Sequence, residues 1–227
     1  MSTLAPRKKT ISALRKRAPG RPAADAPDQR ASVLDAALAC FVRQGIGATS
    51  LRDIAREAGV TPALLHYYFG DKPQLQAAVV EERLMPVMAV LREPLQQAGD
   101  DVAALIAGFV GGVGKIAIAH PWLPPLWVRE VLCEGGALRD VMFQRVGPAI
   151  PNMMAARFAA AQARGDIQPD LDPRLLMVSL VGLTLFPIAG APIWRQLFEA
   201  DDLDIETLRK HTLALLGRGV WIDGRSP

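Results

Sequence analysis

Residues 49–75 read TSLRDIAREAGVTPALLHYYFGDKPQL, a segment in which two short helices and their caps can be recognised. Ser50, followed three residues later by Asp53, forms a capping-box pattern at the start of a helix that runs to about residue 58. After a Gly-Val turn, Thr61 suits the N-cap of a second helix. Pro62 suits its first position because a missing N–H costs nothing there. This spacing predicts a helix-turn-helix, whose second helix can lie in a DNA major groove.

The second helix of this segment has two chemically different faces. With a rotation of about 100° per residue, one face is apolar and we expect it to pack against the preceding helix. It consists of Leu64, Leu65, Tyr68 and Phe69. The opposite face, which would point toward DNA bases, consists of Pro62, Ala63, His66 and Tyr67. It has no Arg, Asn or Gln for paired base contacts, so thymine methyls, one His or Tyr hydrogen bond and DNA shape would carry selectivity. A helical hairpin buried in a core would show the same spacing.

A longer pattern spans about residues 30–80. Its elements are Val33-Leu34-x-Ala36-Ala37, Phe41, Gly45, Thr49, Ile54-Ala55, Ala58-Gly59-Val60 and Leu65-x-Tyr67-x-Phe69-x-x-Lys72-x-x-Leu75. In order and without gaps, these residues resemble the DNA-binding domain of the tetracycline-repressor (TetR) family of bacterial transcription regulators. The sequence departs from the common pattern at residues 66–68, where His-Tyr-Tyr replaces the usual order of two aromatic residues followed by His.

The resemblance implies a dimeric, all-helical repressor that binds a palindromic double-stranded DNA operator and carries a variable ligand-binding C-terminal domain. The residues that would contact phosphates are Thr49, Ser50, Arg52, Thr61, Tyr67 and Lys72. Lys72 lies in the first turn of a helix that Asp71 caps, where backbone N–H groups also favour an anion. The two reading helices would enter successive major grooves, roughly 34–36 Å apart. Ligand entry would change their spacing and release DNA.

A basic arm precedes this domain. Residues 1–30 contain eight Arg or Lys and two Asp, a net charge of +6, so the rest of the chain carries −3 of the total of +3. Such an arm ahead of a helix-turn-helix is typical of phosphate binding, although a solvated tail would have the same composition. Within it, Gly20-Arg21-Pro22 resembles the centre of AT-hook peptides, which lay an Arg into a narrow minor groove. Arg21 is therefore a further candidate for DNA binding.

Helical patterns continue to the end of the chain, so we predict an all-α fold in three parts. These are a basic disordered arm (1–27), a three-helix DNA-binding domain (28–84) and a larger helical ligand-binding and dimerisation domain (85–227). Beyond the second domain we expect helices over about 101–119, 122–132, 137–164, 173–189 and 204–217. The last two are rich in apolar residues, and the resemblance implies that they pair with a second copy in a four-helix interface. A purely intramolecular core would also explain them.

Bulky, adaptable side chains between the prolines of the middle helices predict a pocket for a small hydrophobic ligand. Its candidate residues are His120, Trp122, Trp127, Met142, Phe143, Met154, Phe158 and Phe186. For each of these residues, ordinary core packing is an alternative.

The sequence offers no pattern for catalysis, a metal or a cofactor: the three His residues are far apart, and no phosphate-binding glycine loop follows a strand. We expect no secretory signal and no membrane-spanning segment, and hence a cytoplasmic protein whose two cysteines, Cys40 and Cys133, are buried and reduced. Two other interpretations stay open. A helical hydrolase or ligand carrier would explain the pocket but not the helix-turn-helix, and an architectural DNA protein would explain the arm but not the large apolar domain.

Overall fold

A computed structural model describes residues 28–146 and 149–220, and it contains α-helices and short π-helical turns but no β-strand within those ranges. The first four helices are α1 (Gln29–Gln44), α2 (Leu51–Glu57), α3 (Pro62–Phe69) and α4 (Lys72–Val79). They match the predicted helix-turn-helix and its flanking helices. The all-α fold class is confirmed.

The caps that the sequence predicted are formed. The Ser50 hydroxyl accepts a hydrogen bond from the Asp53 N–H at 3.2 Å, and the Asp53 carboxylate accepts from the Ser50 N–H at 3.1 Å. Thr61 accepts from the Leu64 N–H, and Asp71 caps α4 in the same way. Each cap satisfies a backbone donor that the helix itself cannot pair, so the helix boundaries are set by local chemistry.

Helix α4 continues through a π-helical turn (Val80–Leu84) into α5 (Met85–Ala89). Pro86 explains the turn, because it lacks the N–H that would donate to the Glu82 carbonyl in a regular helix. The Met85 N–H instead reaches back to the Val80 carbonyl. The Glu82 carbonyl accepts from Arg83 Nη1 at 3.2 Å. A break follows α5, and Pro94 lies in the first turn of α6 (Arg92–Gln97), where no N–H is needed.

The remaining helices form the larger part of the fold. They are α7 (Val102–Ala119), α8 (Leu123–Trp127), α9 (Arg139–Val141), α10 (Ala149–Ala163), α11 (Pro173–Ala189), α12 (Ala191–Phe198) and α13 (Ile205–Gly219). Further π-helical turns span Val128–Leu132 and Met142–Val146. The range predicted as one helix, 137–164, contains α9, a π-helical turn and α10, and residues 147 and 148 between the last two lie outside the described residues. Helix α12, which bends 71° away from α11, is not among the predicted helices.

Two apolar clusters form the interior. One joins α1–α4, and the other packs α5–α8, α10, α11 and α13 around α7. Leu126 and Leu138, from the larger part of the chain, pack into the first cluster, so the two parts are not independent. The predicted boundary near residue 84 stays a prediction.

Helix α7 is central to the second cluster. With 18 residues and a mean hydropathy of 2.0 it is long and apolar enough to cross a membrane, contrary to our expectation that no such run exists. Ten of its residues are buried within the protein, as in the core helix of a soluble domain. Gly112 lets α7 approach its neighbour closely, because a Cβ there would lie 2.6 Å from Leu91 Cδ2.

The two cysteines differ in environment. Cys40 is buried on α1, and burial raises the pKa of its thiol above the ordinary value. Cys133, at the end of the Val128–Leu132 turn, is exposed, so the prediction that both thiols are buried is wrong for Cys133.

Candidate nucleic-acid interface and apolar cavity

Helix α3 exposes one face and buries the other. Leu65 and Phe69 are buried among residues of α1, α2 and α4, with Tyr68 packed against them. The exposed set, which we call the reading face, consists of Pro62, Ala63, His66 and Tyr67. The division of the helix into two faces predicted from the sequence is confirmed, and the buried half holds the reading face on a rigid support.

Two polar groups on the reading face are positioned by neighbours. Tyr67 is 81% exposed, and its ring stands edge-on to Tyr68 with 5.4 Å between ring centroids. His66 Nδ1 lies 2.5 Å from the Gly70 carbonyl oxygen. A carbonyl can only accept, so Nδ1 is the donor of this hydrogen bond, and Nε2 is an acceptor when the ring is neutral. An acceptor at this position fits the exocyclic amino group of adenine or cytosine in the major groove.

The side chains predicted to contact DNA phosphates differ in how far they are free to do so. Thr49 is 1% exposed and its hydroxyl donates to the Gly45 carbonyl at 2.6 Å, so its side chain is occupied within the protein. The Ser50 hydroxyl is exposed but donates to Asp53 Oδ2 at 2.6 Å. Lys72 Nζ donates to the Gly47 carbonyl at 3.1 Å, which keeps the ammonium group near the turn before α2 and leaves it two further donors.

Arg52 is the most available cation of the predicted set. It is exposed on α2 and makes no hydrogen bond or ion pair within residues 28–146 and 149–220. The next Arg of the same helix, Arg56, instead pairs with Asp53 at 2.7 Å. Thr61 is exposed at the start of α3. Arg21 lies outside the described residues.

A cavity of about 90 Å³ lies between α5, α7, α8, α10 and α11. The described side chains that line it belong to Met, Leu, Ile, Val, Phe, Pro and Trp only. Met88 and Leu91 bring the cavity to the end of the α4–α5 helix, and Trp127 brings it to the end of α8. An apolar enclosure of this kind suits a small hydrophobic molecule.

The structure brings two of the eight predicted ligand residues to this cavity, Trp127 and Met142. Met154 and Phe158 are fully buried in the core cluster, and Trp122 packs between both clusters, facing His120 with 5.6 Å between ring centroids. Phe143 and Phe186 lie on the surface, 69% and 72% exposed. The other cavity residues are ordinary aliphatic side chains, for which the sequence holds no signal that separates a cavity wall from solid core.

Sequence reasoning also missed the contact between the two parts of the chain. Arg129 Nη2 donates to the carbonyl oxygens of Phe41 and Val42, at 2.6 and 2.7 Å, where α1 ends. Glu130 is 4% exposed; its Oε1 accepts from the Ile46 N–H at 3.0 Å and its Oε2 from the Ala137 N–H at 3.1 Å. We call Arg129 and Glu130 the α1 clamp. It begins two residues after Trp127 and so joins the cavity wall to the start of the helix-turn-helix.

Comparison with known proteins agrees with this geometry. Residues 33–79 match the family model of bacterial regulatory proteins of the tetR family. Over 58 residues the chain is 47% identical to the HTH-type transcriptional regulator BetI of Rhizobium meliloti (strain 1021), covering 26% of this chain and 29% of BetI. Over 181 residues it is 25% identical to the HTH-type transcriptional regulator UidR of Escherichia coli (strain K12), covering 79% of this chain and 86% of UidR. The helix-turn-helix segment of this chain is therefore of the TetR family.

The similarity of fold extends beyond the matched segment. The ketosteroid transcriptional regulator KstR2 of Mycobacterium tuberculosis superposes with a TM-score of 0.66 at 19% identity, covering 89% of this chain and 100% of KstR2. High local identity is therefore confined to the helix-turn-helix, while the larger helical part shares the fold with much weaker sequence similarity. No group of three or more metal-ligating side chains occurs among the described residues.

Proposed function

We propose that this protein is a dimeric DNA-binding transcriptional regulator, a repressor that leaves a palindromic operator when a small hydrophobic ligand enters its cavity. The observation that carries the proposal is the reading face of α3, exposed as a unit and supported by a buried opposite face. A helix held in this way leaves its reading face open to solvent, and its dimensions suit a major groove. Such a regulator works where the chromosome is, in the bacterial cytoplasm.

Phosphate contacts would position the domain, and the reading face would select the sequence. Arg52, Thr61 and Lys72 are the candidates whose side chains or helix positions are available for phosphates. Thr49 we now assign to holding the turn before α2, because its hydroxyl is buried and paired. Arg21 stays a proposal for the minor groove.

Dimerisation is supported by an exposed apolar surface. Helix α11 exposes Leu175, Val178 and Phe186, and Val178 is 64% exposed. Leu215 on α13 is also exposed, whereas Leu216 turns into the core of its own subunit. A second copy that covers these helices would remove the apolar surface from water, as in four-helix interfaces.

Two structural connections run from the cavity to α1–α4, which carry the reading face and which we call the reading head. The α4–α5 helix begins at Lys72 and ends with Met88 in the cavity wall. The second connection passes from Trp127 through the α1 clamp to the end of α1. A ligand that binds more tightly when these two connections have shifted would stabilise the shifted state of the dimer. In that state the distance between the two reading heads would no longer match successive major grooves.

Binding to DNA can be tested with a duplex selected from a random pool by the wild-type protein. We expect Arg52→Ala to weaken binding and to lower the slope of log K against log salt by about 0.9, the value for one phosphate contact. Arg92→Ala, which removes an exposed Arg from α6, is the matched control and should leave both quantities unchanged. Failure to enrich any duplex, or equal effects of the two variants, would contradict the proposal.

The dimer interface has its own test. We expect sedimentation at micromolar concentration to give a dimer for the wild type and a monomer for Val178→Glu, because a charge would be buried in the interface. Ile118→Glu changes a side chain of similar exposure on α7 and should stay dimeric. A monomeric wild type, or a dimer that survives Val178→Glu, would count against this interface.

A ligand carrier or hydrolase is the alternative from another class. It would require the cavity but not the reading face, so Tyr67→Ala would have no consequence for its activity. For a regulator, Tyr67→Ala should reduce affinity for the selected duplex roughly tenfold, within the ~1–3 kcal/mol expected of one base contact.

A further inference from the structure

The cavity walls carry almost no polar chemistry, and this limits what can enter. No Asp, Glu, Lys, Arg or His lines it among the described residues. An ionised ligand would leave water without a countercharge or a set of hydrogen bonds to replace its hydration shell. A carboxylate or an ammonium group is therefore a poor guest, even if the rest of the molecule is apolar.

One hydrogen-bond donor stands apart from this apolar lining. Trp127 is a wall residue, and its indole Nε1–H is the only N–H or O–H group among the described side chains that line the cavity. The Nε1 atom is buried and has no hydrogen-bond partner in the part of the chain that the structure describes. Buried Trp N–H groups usually find an acceptor, and the unpaired indole N–H of this lining residue is the side-chain donor available to a molecule that fills the cavity.

We propose that the ligand is an uncharged molecule with an apolar body and a hydrogen-bond acceptor, such as a ketone, ester or ether oxygen, which receives the Trp127 indole proton. The proposal deepens the ligand-responsive function and rests on the cavity being the ligand site of that function. A hydroxyl group fits less well than a carbonyl, because its own proton would find no strong acceptor on the walls. The flexible Met88, Met142 and Met177 side chains can shift to admit molecules of differing shape.

Three probes of nearly the same shape separate these features. Acetophenone carries a carbonyl oxygen, α-methylstyrene replaces that oxygen by a methylene group, and benzoate replaces the methyl group by a charged oxygen. Affinities for the full-length protein are measured by calorimetry for the wild type, Trp127→Phe and Trp122→Phe. Trp122 is the matched control, because its ring packs in the core without lining the cavity.

Trp127→Phe should weaken acetophenone about tenfold, the effect of one net hydrogen bond, and leave α-methylstyrene within about twofold. Each probe is compared between the wild type and a variant, so the free energy of removing that probe from water is the same in both measurements and cancels. Trp122→Phe should affect both probes alike, and benzoate should bind the wild type at least a hundredfold more weakly than acetophenone, or not measurably. Equal loss of both neutral probes in Trp127→Phe, tight benzoate binding, or no binding of either neutral probe would overturn the proposal.

A spectroscopic measurement on the wild type tests the same hydrogen bond if Trp127→Phe does not fold. In ¹H–¹⁵N spectra of the wild type, acetophenone should move one indole N–H proton downfield, whereas α-methylstyrene should not. An indole signal that responds equally to both would overturn the proposal. DNA binding is measured separately: acetophenone bound at Trp127 without any change in affinity for the selected duplex would refute the ligand-responsive function and leave the assignment of the cavity intact.

Discussion

The α1 clamp supports a quantitative prediction, since Glu130 is buried and holds two backbone N–H groups from different parts of the chain. Glu130→Ala would leave the N–H groups of Ile46 and Ala137 without their acceptor. Glu130→Gln keeps the side-chain volume and one acceptor oxygen, but it turns an NH₂ group toward the other N–H. The two substitutions therefore remove two and one of these hydrogen bonds.

A hydrogen bond to a charged group contributes about 1.5–3 kcal/mol, so the loss of both would cost ~3–6 kcal/mol before the structure relaxes. We expect a loss near the lower end, about 3 kcal/mol, for Glu130→Ala and about half of that for Glu130→Gln. For a chain of this size, the larger loss corresponds to a decrease in Tm of roughly 6–12 °C.

Thermal and urea unfolding followed by circular dichroism measure these differences. Glu206→Ala is the control, because Glu206 is an exposed carboxylate whose ion pair with Arg209 lies on one helix surface. Its Tm should stay close to that of the wild type. If Glu130→Ala were as stable as Glu206→Ala, or more stable than Glu130→Gln, the clamp would not hold the two parts together as we argue.

Three further predictions concern the helix-turn-helix. Gly45 has a φ of 88°, and a Cβ there would approach the α1 clamp, so Gly45→Ala should destabilise the protein by about 1–2 kcal/mol in urea unfolding. Gly47→Ala is the control and should leave stability unchanged, because the space around Gly47 is open; equal unfolding midpoints for the two variants would refute the prediction. Hydrogen bonds from the Ser50 hydroxyl and backbone N–H lower the pKa of Asp53 below the ordinary carboxyl value. The stabilisation of α2 by this cap is therefore complete at pH values above the ordinary carboxyl pKa, and it is lost as the pH falls through the lowered pKa of Asp53. An NMR titration should place the Asp53 midpoint below the ordinary value, and Ser50→Ala should raise it; an unchanged midpoint would refute the assignment. His66→Ala should relax selection at one base pair by roughly 1–3 kcal/mol, with the wild type preferring adenine or cytosine there in a randomised-site selection; unchanged selection would exclude His66 as a base contact.

Local features of this fold were predictable because the groups that create them are neighbours in sequence. The caps at Ser50, Thr61 and Asp71 each depend on atoms three residues apart. The two faces of α3 follow from helix periodicity alone. For the same reason the all-α class was predictable without any knowledge of tertiary packing.

Features that depend on long-range packing were not predictable. The α1 clamp joins residues more than 80 positions apart, and nothing near Glu130 in the sequence indicates that it faces Ile46 rather than a ligand. Which apolar side chains line the cavity is decided by small gaps between helices, so Phe186 and Met142 look equivalent in sequence while one is a surface residue and the other a cavity wall. Pro192 could be interpreted as a break or as the first turn of a helix, and tertiary structure chose the helix.

The different environments of the two cysteines give this protein a built-in labelling site. A thiol-specific reagent reacts through the exposed thiolate, so it should modify Cys133 and spare Cys40, which is buried and whose thiol has a raised pKa. Cys133 ends the turn that contains the α1 clamp. A fluorophore or spin label attached there would report movement between cavity and reading head in the natural sequence, without any engineered cysteine.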